Sequence, residues 1–335
     1  MGMLSFAKNA NYKRFYNDLK EISKTVHKPA WLMFIDEGIC AFRYKAGLQD
    51  YLNFRFYEKS AKERKTYVTT GYEYDISKVL GKLEYAEFYS NKLNFHKNYK
   101  DFTKRDYFDP KDGYEKFIEF TKLHPEFVKK PVIGLGGGGV EKYTVSDIAD
   151  LKKFYDDMVK NNDFCEELIQ QDEEWGRLSP NSANTLRIMT ATIGDRSKIF
   201  FAAARIGSGN GIADNFHQGG QACLIDLKTG KLTGNGSDKK LNESDCSVTG
   251  VKYDGFPIPY WKEVKEMVME ACKVNNKVNL IGWDVALTKT GPCIIECNRC
   301  PGWDIPQVLT KKGMKYMVDD LLRRVIRYNK RMENR

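Results

Sequence analysis

No stretch of this 335-residue chain is apolar for long enough to span a bilayer. The first residues, Met1-Gly-Met-Leu-Ser-Phe-Ala-Lys-Asn-Ala10, lack the apolar core of a secretory leader. Gly2 follows Met1, but Phe6 stands where an N-myristoylation signal needs Ser or Thr. There is no internal repeat and no low-complexity linker. Histidine is scarce, with four in the chain, and the eight cysteines run from Cys40 to Cys300 without the density of a disulfide scaffold. A broad basic face is also missing. The net charge is +9, but residues 311–335 hold nine Lys/Arg against three Asp/Glu, so the rest is close to balanced. These absences argue against a nucleic-acid-binding or membrane-spanning protein and lead to the expectation of a cytoplasmic one.

What is present is an ordinary globular composition, 41% hydrophobic and 30% charged, with length for two or three subdomains. Tyr12, Phe15, Tyr16, Leu19 and Ile22 fall at helical spacing. Trp31–Ile35 is a short apolar run, Tyr67–Tyr74 reads as a strand, and Leu93–Phe108 mixes helix and loop. Strands are expected at Phe127–Ile133, Phe164–Gln170, Arg187–Ile193, Ile199–Arg205 and Ala222–Asp226. Helices are expected from an N-cap at Ser146 to about Lys160, over Trp261–Val274, and over Met314–Met332. Antiparallel hairpins in a mixed order point to an α+β fold. The expected division is an acceptor-side region at 1–90, a lobe with a glycine flap at 91–165, and a C-terminal lobe at 166–335.

The run Gly282–Asn298 carries the most chemical information. It reads as two strands joined through Lys289-Thr-Gly-Pro292. Strand side chains alternate between faces, so Glu296 and Asn298 share one, and Asp284 on the partner strand faces them. Two carboxylates and an amide oxygen suit a hard cation such as Mg²⁺ beside nucleotide phosphates. Cys293 and Cys297 fall on the opposite face of the same strand. With Cys300 they match a cluster-ligand spacing, but cluster ligands need a loop that wraps the iron.

Upstream, Gly134-Leu-Gly-Gly-Gly-Gly139 satisfies G-x-G-x-x-G formally, but no helix opens at the glycines and the G-K-[ST] of a P-loop is missing. A strand–loop–strand flap fits better, its N–H groups covering phosphates, with Lys130 just before it as a phosphate partner. Arg187 and Arg205 lie on an apolar strand pair, where an arginine is costly unless paired. A salt bridge accounts for one; two beside a flap and a metal hairpin suit charge on a transferring phosphoryl group. In Ala213-Asp-Asn-Phe-His-Gln-Gly-Gly220, Asn215 and the Gly219–Gly220 backbone suit a substrate carboxylate or oxyanion. His217 is either a general base or a surface histidine. Glu166-Glu167-Leu168 ends a strand whose backbone suits an adenine edge, and an acidic segment with Glu174 follows. The terminal helix is apolar along Met314, Met317, Val318, Leu321, Leu322 and Val325 and basic opposite, fitting core packing or peripheral contact with an anionic membrane.

In this order the motifs resemble the ATP-grasp superfamily, in particular its sugar-transfer associated branch, related to α-L-glutamate ligases. The matching stretches are Gln49–Tyr57, Asn91–Lys97, Phe127–Pro131 with the flap, Glu166–Ile169, Asn184–Arg187, Ala213–Gly220, the 284/296/298 hairpin and Pro301-Gly302, covering most of residues 40–310. The resemblance implies an ATP-grasp fold with two α+β lobes enclosing the nucleotide, after a divergent N-terminal region. It implies that Lys92 and Lys130 hold the α- and β-phosphates. Gly136, Gly137, Gly138 and Gly139 form the flap. Glu166, Glu167 and Leu168 form the adenine hinge, and Glu174 is a ribose ligand. Asp284, Glu296 and Asn298 hold two Mg²⁺ ions, for which Mn²⁺ can substitute. Arg205 faces the γ-phosphate, and Arg187, Asn215 and Gly220 line the acceptor side, where His217 and Gly219 also stand. Trp283 departs from the small or branched residue usual before the metal Asp, and residues before 90 do not look like the superfamily's usual amino-terminal domain.

The expected activity is ATP-dependent carboxylate–amine ligation through an acyl phosphate. An amino acid or other amine would be joined to a sugar carboxylate in surface polysaccharide biosynthesis. Phosphoryl transfer to a hydroxyl and a non-catalytic nucleotide-binding module are the alternatives.

Overall fold

The computed structural model describes residues 11–134, 138–209, 219–299 and 301–334. The chain divides into two compact units, one of residues 1–81 and 302–335, the other of residues 82–301.

The first unit is helical. Asn11 caps the helix Tyr12–Val26, its side chain accepting from the Arg14 N–H at 2.9 Å, and Phe15 and Leu19 turn inward. The helix Ala30–Tyr44 buries Met33, Glu37 and Cys40, one residue per turn. The strand expected at Tyr67–Tyr74 is instead an approach to the helix Thr70–Leu80. Its β-branched and aromatic residues favour strand only weakly, and burial of Ile76 and Leu80 at i,i+4 spacing decides for helix. Val68 lies outside the helices, and Gln307 satisfies both of its backbone groups, accepting from its N–H at 2.8 Å and donating to its carbonyl at 2.9 Å. The terminal helix Lys315–Glu333 buries Val318, Leu321 and Val325 and leaves its basic side exposed.

The second unit holds two antiparallel sheets. The smaller contains β1 (Tyr107–Phe108), β2 (Glu126–Pro131), β3 (Glu141–Thr144) and β4 (Asp163–Glu167) in the order β1-β4-β2-β3. Helices Tyr114–Leu123 and Leu151–Asn161 pack on it through Phe117, Phe120, Phe154 and Met158. The second helix starts later than its expected cap. Ser146 sits in a single tight turn, and Asp150 is the cap, accepting from the Lys153 N–H at 2.9 Å.

The larger sheet comprises β5 (Thr185–Ile193), β6 (Arg196–Ile206), β7 (Gln221–Ile225), β8 (Leu232–Asp238), β9 (Glu243–Ser244), β10 (Leu280–Thr288) and β11 (Gly291–Asn298), ordered β11-β10-β5-β6-β7-β8-β9. One face carries Leu186, Ile188, Ala202, Ala204, Trp283, Val285 and Cys297 into a core shared with the helix Trp261–Val274. Trp283 is placed by its indole N–H, which donates to Thr190 Oγ1 at 2.9 Å. This mixed helix and sheet organisation agrees with the α+β expectation. Among the described residues, no helix is long and apolar enough to cross a membrane.

Candidate functional site

The polar face of the larger sheet is built by register. Glu296 on β11 stands opposite Asp284 on β10, Asp284 opposite Arg187 on β5, and Thr185 on β5 opposite Arg205 on β6. Directly opposed residues share a face, so a charged row crosses four strands. Arg187 donates to Asp284 through Nε at 2.6 Å and Nη2 at 3.1 Å. Arg205 donates through Nη2 to the second carboxylate oxygen at 3.0 Å and through Nε to Thr185 Oγ1 at 3.0 Å. Both arginines therefore rest on one buried carboxylate, the pairing that arginines on apolar strands require.

Asp284 and Glu296 titrate in opposite directions. Burial pushes Asp284 up, but the two guanidiniums outweigh it and hold the carboxyl below its ordinary range. Burial raises Glu296, and the neighbouring Asp284 charge raises it further. Glu296 accepts from the Asn298 amide at 3.3 Å. Cys293 and Cys297 are buried, with Cys297 opposite Trp283 on the core side, and Cys300 lies outside the described residues.

The second half of the site comes from the smaller sheet. Lys130 on β2 is buried and ion-paired with Glu166 on β4. Glu166 also accepts from Arg105 at 3.1 Å and His96 at 2.9 Å. Burial alone would raise Glu166; Arg105 and Lys130 overcome it and drive the carboxyl far below its usual range. Burial lowers His96 despite its bond to Glu166. The neutral ring thus donates from Nε2, which leaves Nδ1 as a buried acceptor with no partner. Since its side chain is occupied by cations, Glu166 has only main-chain groups to offer an adenine edge.

Lys92 begins the helix Lys92–Asn98, one turn before His96, and its ammonium donates to the Gly134 carbonyl at 2.9 Å. Burial lowers its pKa, with opposing pulls from Glu296 and Lys130. Lys92 is thus coupled to both sheets, and five cations (Lys92, Arg105, Lys130, Arg187, Arg205) surround three carboxylates (Glu166, Asp284, Glu296).

The other sequence-derived positions are more scattered. Gly138 is exposed, and Gly139 takes a φ of +76° beside Pro131, a conformation that glycine adopts freely. Gly136, Gly137, Asn215 and His217 lie outside the described residues. Gly219 has a φ of +102°, and Gly220 is buried at the start of β7. Glu167 accepts from the Asp106 N–H at 3.2 Å, and Leu168 follows the strand end half-buried. Glu174 is exposed and paired with Arg177 at 2.7 Å.

Sequence reasoning passed over Arg105 and His96. The i,i+4 spacing of Lys92 and His96 was a signal for the histidine, since it places both on one helical side. Arg105 had none, because its partner is 61 residues away. Among the described residues no group of three or more His, Cys, Asp or Glu is arranged for a metal. The hairpin offers two carboxylates and an amide.

Comparison with solved structures returns ATP-grasp ligases at low identity. The D-alanine-D-alanine ligase from Coxiella burnetii is 10% identical, with 78% of this chain and 67% of that chain covered and a TM-score of 0.46. The D-alanine-D-alanine ligase from Bacillus anthracis is 14% identical, with 78% and 77% covered and a TM-score of 0.45. The ATP-grasp ligase PsnB complexed with a minimal precursor is 13% identical, with 78% and 71% covered and a TM-score of 0.43. No protein of curated function matches the sequence. The family comparison is of another order, since sugar-transfer associated ATP-grasp matches residues 64–321, well over half of the chain and all of the charged site. The chain belongs to the sugar-transfer associated ATP-grasp family.

Proposed function

We propose that this protein is an ATP-dependent ligase that activates a carboxylate as an acyl phosphate and passes it to an amine. The observation that carries the reading is the charge balance of the site: five buried or half-buried cations around three carboxylates, an excess of positive charge that a polyphosphate would neutralise. Lys92 and Lys130 are proposed to hold the α- and β-phosphates, Gly138 and Gly139 to cover them with main chain, and the end of β4 to meet the adenine. Glu174 is proposed for the ribose.

The hairpin fits a hard divalent cation. Its donors are carboxylate and amide oxygens, and the rise in Glu296 imposed by Asp284 is the repulsion that a cation between them relieves. Glu296, Asn298 and Asp284 would hold Mg²⁺, which supplies neutralisation of the phosphoryl oxygens when bound. Arg205 opposes the charge that develops on the acyl phosphate, and Arg187 fixes Asp284 while bordering the acceptor. Asn215, His217, Gly219 and Gly220 are proposed for the acceptor side. The family's description as sugar-transfer associated motivates the proposal of a sugar-linked carboxylate or amine as the acceptor class, and polysaccharide biosynthesis is proposed as the setting.

The test is trapping with hydroxylamine. ATP, Mg²⁺ and a panel of uronic acids and amino acids should yield a hydroxamate together with ADP and phosphate. ADP released with phosphate retained on the acceptor, and no hydroxamate from any acid, would instead identify transfer to a hydroxyl. No nucleotide turnover with any acceptor would point to a binding module.

A further inference from the structure

The helix Ala30–Tyr44 turns Met33, Glu37 and Cys40 inward. The opposite side would be polar in an ordinary surface helix, yet here it is almost wholly apolar. Trp31, Ile35, Ile39 and Phe42 recur about one per turn and are 56%, 53%, 46% and 87% exposed, with Leu32 and Phe34 beside them. Gly38 opens a notch in the middle, where an added Cβ would meet nothing within 4 Å. Ile35, Gly38, Ile39, Phe42 and Arg43 line an open groove of about 530 Å³. Single exposed apolar residues are normal; a contiguous row along four turns marks a surface that is covered in use.

Charge decides what covers it. From Tyr12 to Lys45 seven cations are exposed (Lys13, Arg14, Lys20, Lys24, Lys28, Arg43, Lys45) against two exposed acids, Asp18 and Glu21. Lys24 pairs with Glu21 and Lys45 with Asp75. Arg43 stands at one end of the apolar row and Lys28, whose ammonium donates to the Tyr57 carbonyl, at the other, and the row itself carries no exposed acid. Two copies of this face would set cation against cation in either orientation, with no carboxylate between them. An apolar strip framed by cations complements an anionic lipid surface. On such a surface its residues would enter the acyl boundary, Trp31 would sit at headgroup level, Arg43 would reach the phosphates, and Lys28 would do so on exchanging its bond to the Tyr57 carbonyl.

We propose that the Trp31–Phe42 face of this helix docks the protein on anionic membranes as a peripheral, non-spanning contact. This surface is distinct from the basic side of the terminal helix and does not depend on the chemistry of the charged site.

The experiment is co-sedimentation of the full chain with vesicles of phosphatidylcholine alone or with about 30% phosphatidylglycerol. Trp31 is a built-in reporter, because Trp175, Trp261, Trp283 and Trp303 are all buried. Binding to the anionic vesicles, a blue shift of tryptophan emission, and weakening by roughly 0.5 M salt are expected. Ile35→Glu/Phe42→Glu, both exposed positions, should reduce binding about tenfold or more. Lys28→Glu/Arg43→Glu leaves the apolar row intact and should remove the preference for anionic lipid, which keeps the proposal testable if the first variant does not fold. No vesicle binding by the native chain overturns the proposal, as does binding that survives both variants. A native dimer that Ile35→Glu/Phe42→Glu dissociates, in place of vesicle binding, assigns the face to a second copy and also overturns it.

Discussion

Asp284 and Glu296 oppose each other across β10 and β11, yet two arginines hold the first while the second meets the Asn298 amide and the Asp284 carboxyl itself. Burial and the Asp284 charge therefore make an ionised Glu296 unfavourable without a cation. Glu296→Gln keeps the shape and removes that repulsion. Without divalent metal it should melt higher than the native protein, by about 2–4 °C for roughly 1 kcal/mol. Added Mg²⁺ should stabilise the native protein and not the variant, and turnover should fall at least about a hundredfold. Thermal unfolding with and without a chelator checks the first part. A variant that melts lower than the native protein would remove the repulsion from the account.

Glu166 and Lys130 should respond very differently to mutation. Glu166 is the shared anion of Lys130, Arg105 and His96, so Glu166→Ala strands two buried cations and should destabilise by about 3–5 kcal/mol. Lys130→Met leaves Glu166 paired with Arg105 and should cost the fold much less, while weakening nucleotide binding about tenfold or more. Denaturant unfolding and titration with a non-hydrolysable ATP analogue separate the two effects. Equal losses of stability would contradict the shared-anion arrangement.

The strands that carry the site were legible because their periodicity is local. Alternation put Glu296 and Asn298 on one face and Cys297 on the other, as β10 and β11 show, but a bulge at Ile295 inverts the alternation beyond it, so Ile294 joins the core and Cys293, opposite Ala286, falls on the Asp284 face. Where the sequence misled, the deciding contacts were remote. Tyr67–Tyr74 has strand-like residues, but Ile76 and Leu80 beyond it set the helix. Ser146 is a good cap by type, yet Asp150 stands directly before the apolar series Leu151, Phe154, Tyr155 and Met158. The anchoring of Arg187 and Arg205 on Asp284 depends on strand pairing across some eighty to a hundred residues, as does the occupation of Glu166 by Arg105 across sixty-one. No spacing rule reaches that far.

The helical unit should lose stability as pH rises. Burial lifts Asp50 to about 6, with the Gly47 and Thr70 N–H groups pulling the other way. The unfolded carboxyl titrates near 4, so between about pH 4 and pH 6 the folded chain holds the extra proton. Its contribution is therefore complete below about pH 4 and fades as pH rises through 6. Both N–H groups donate to the same carboxylate oxygen at 2.7 Å, so the single amide oxygen of Asp50→Asn can keep both bonds. That variant should flatten the pH slope and gain on the order of 1 kcal/mol at pH 8, whereas Asp50→Ala should lose about 2 kcal/mol at every pH. Urea unfolding across this range checks both.

Gly282 tests how closely the strand and the following loop approach the site. A Cβ there would lie 2.7 Å from Pro301 Cβ and 3.5 Å from Arg187 Cδ. The proline ring has no rotamer with which to retreat, so backbone must move on β10 or at Pro301. Gly282 faces Asn298 on β11 and Met189 on β5, and Asp284 is two residues along the same strand. Gly282→Ala should therefore cost about 1–3 kcal/mol by overpacking and also disturb the pairing of Arg187 with Asp284. Gly291→Ala is the control. Its added Cβ meets nothing within 4 Å, and its φ of +112° strains the turn alone, remote from the arginines. The two variants should lose comparable stability, but Gly282→Ala alone should lower turnover. A Gly282→Ala protein with native melting and native turnover would mean that Pro301 does not press on the strand.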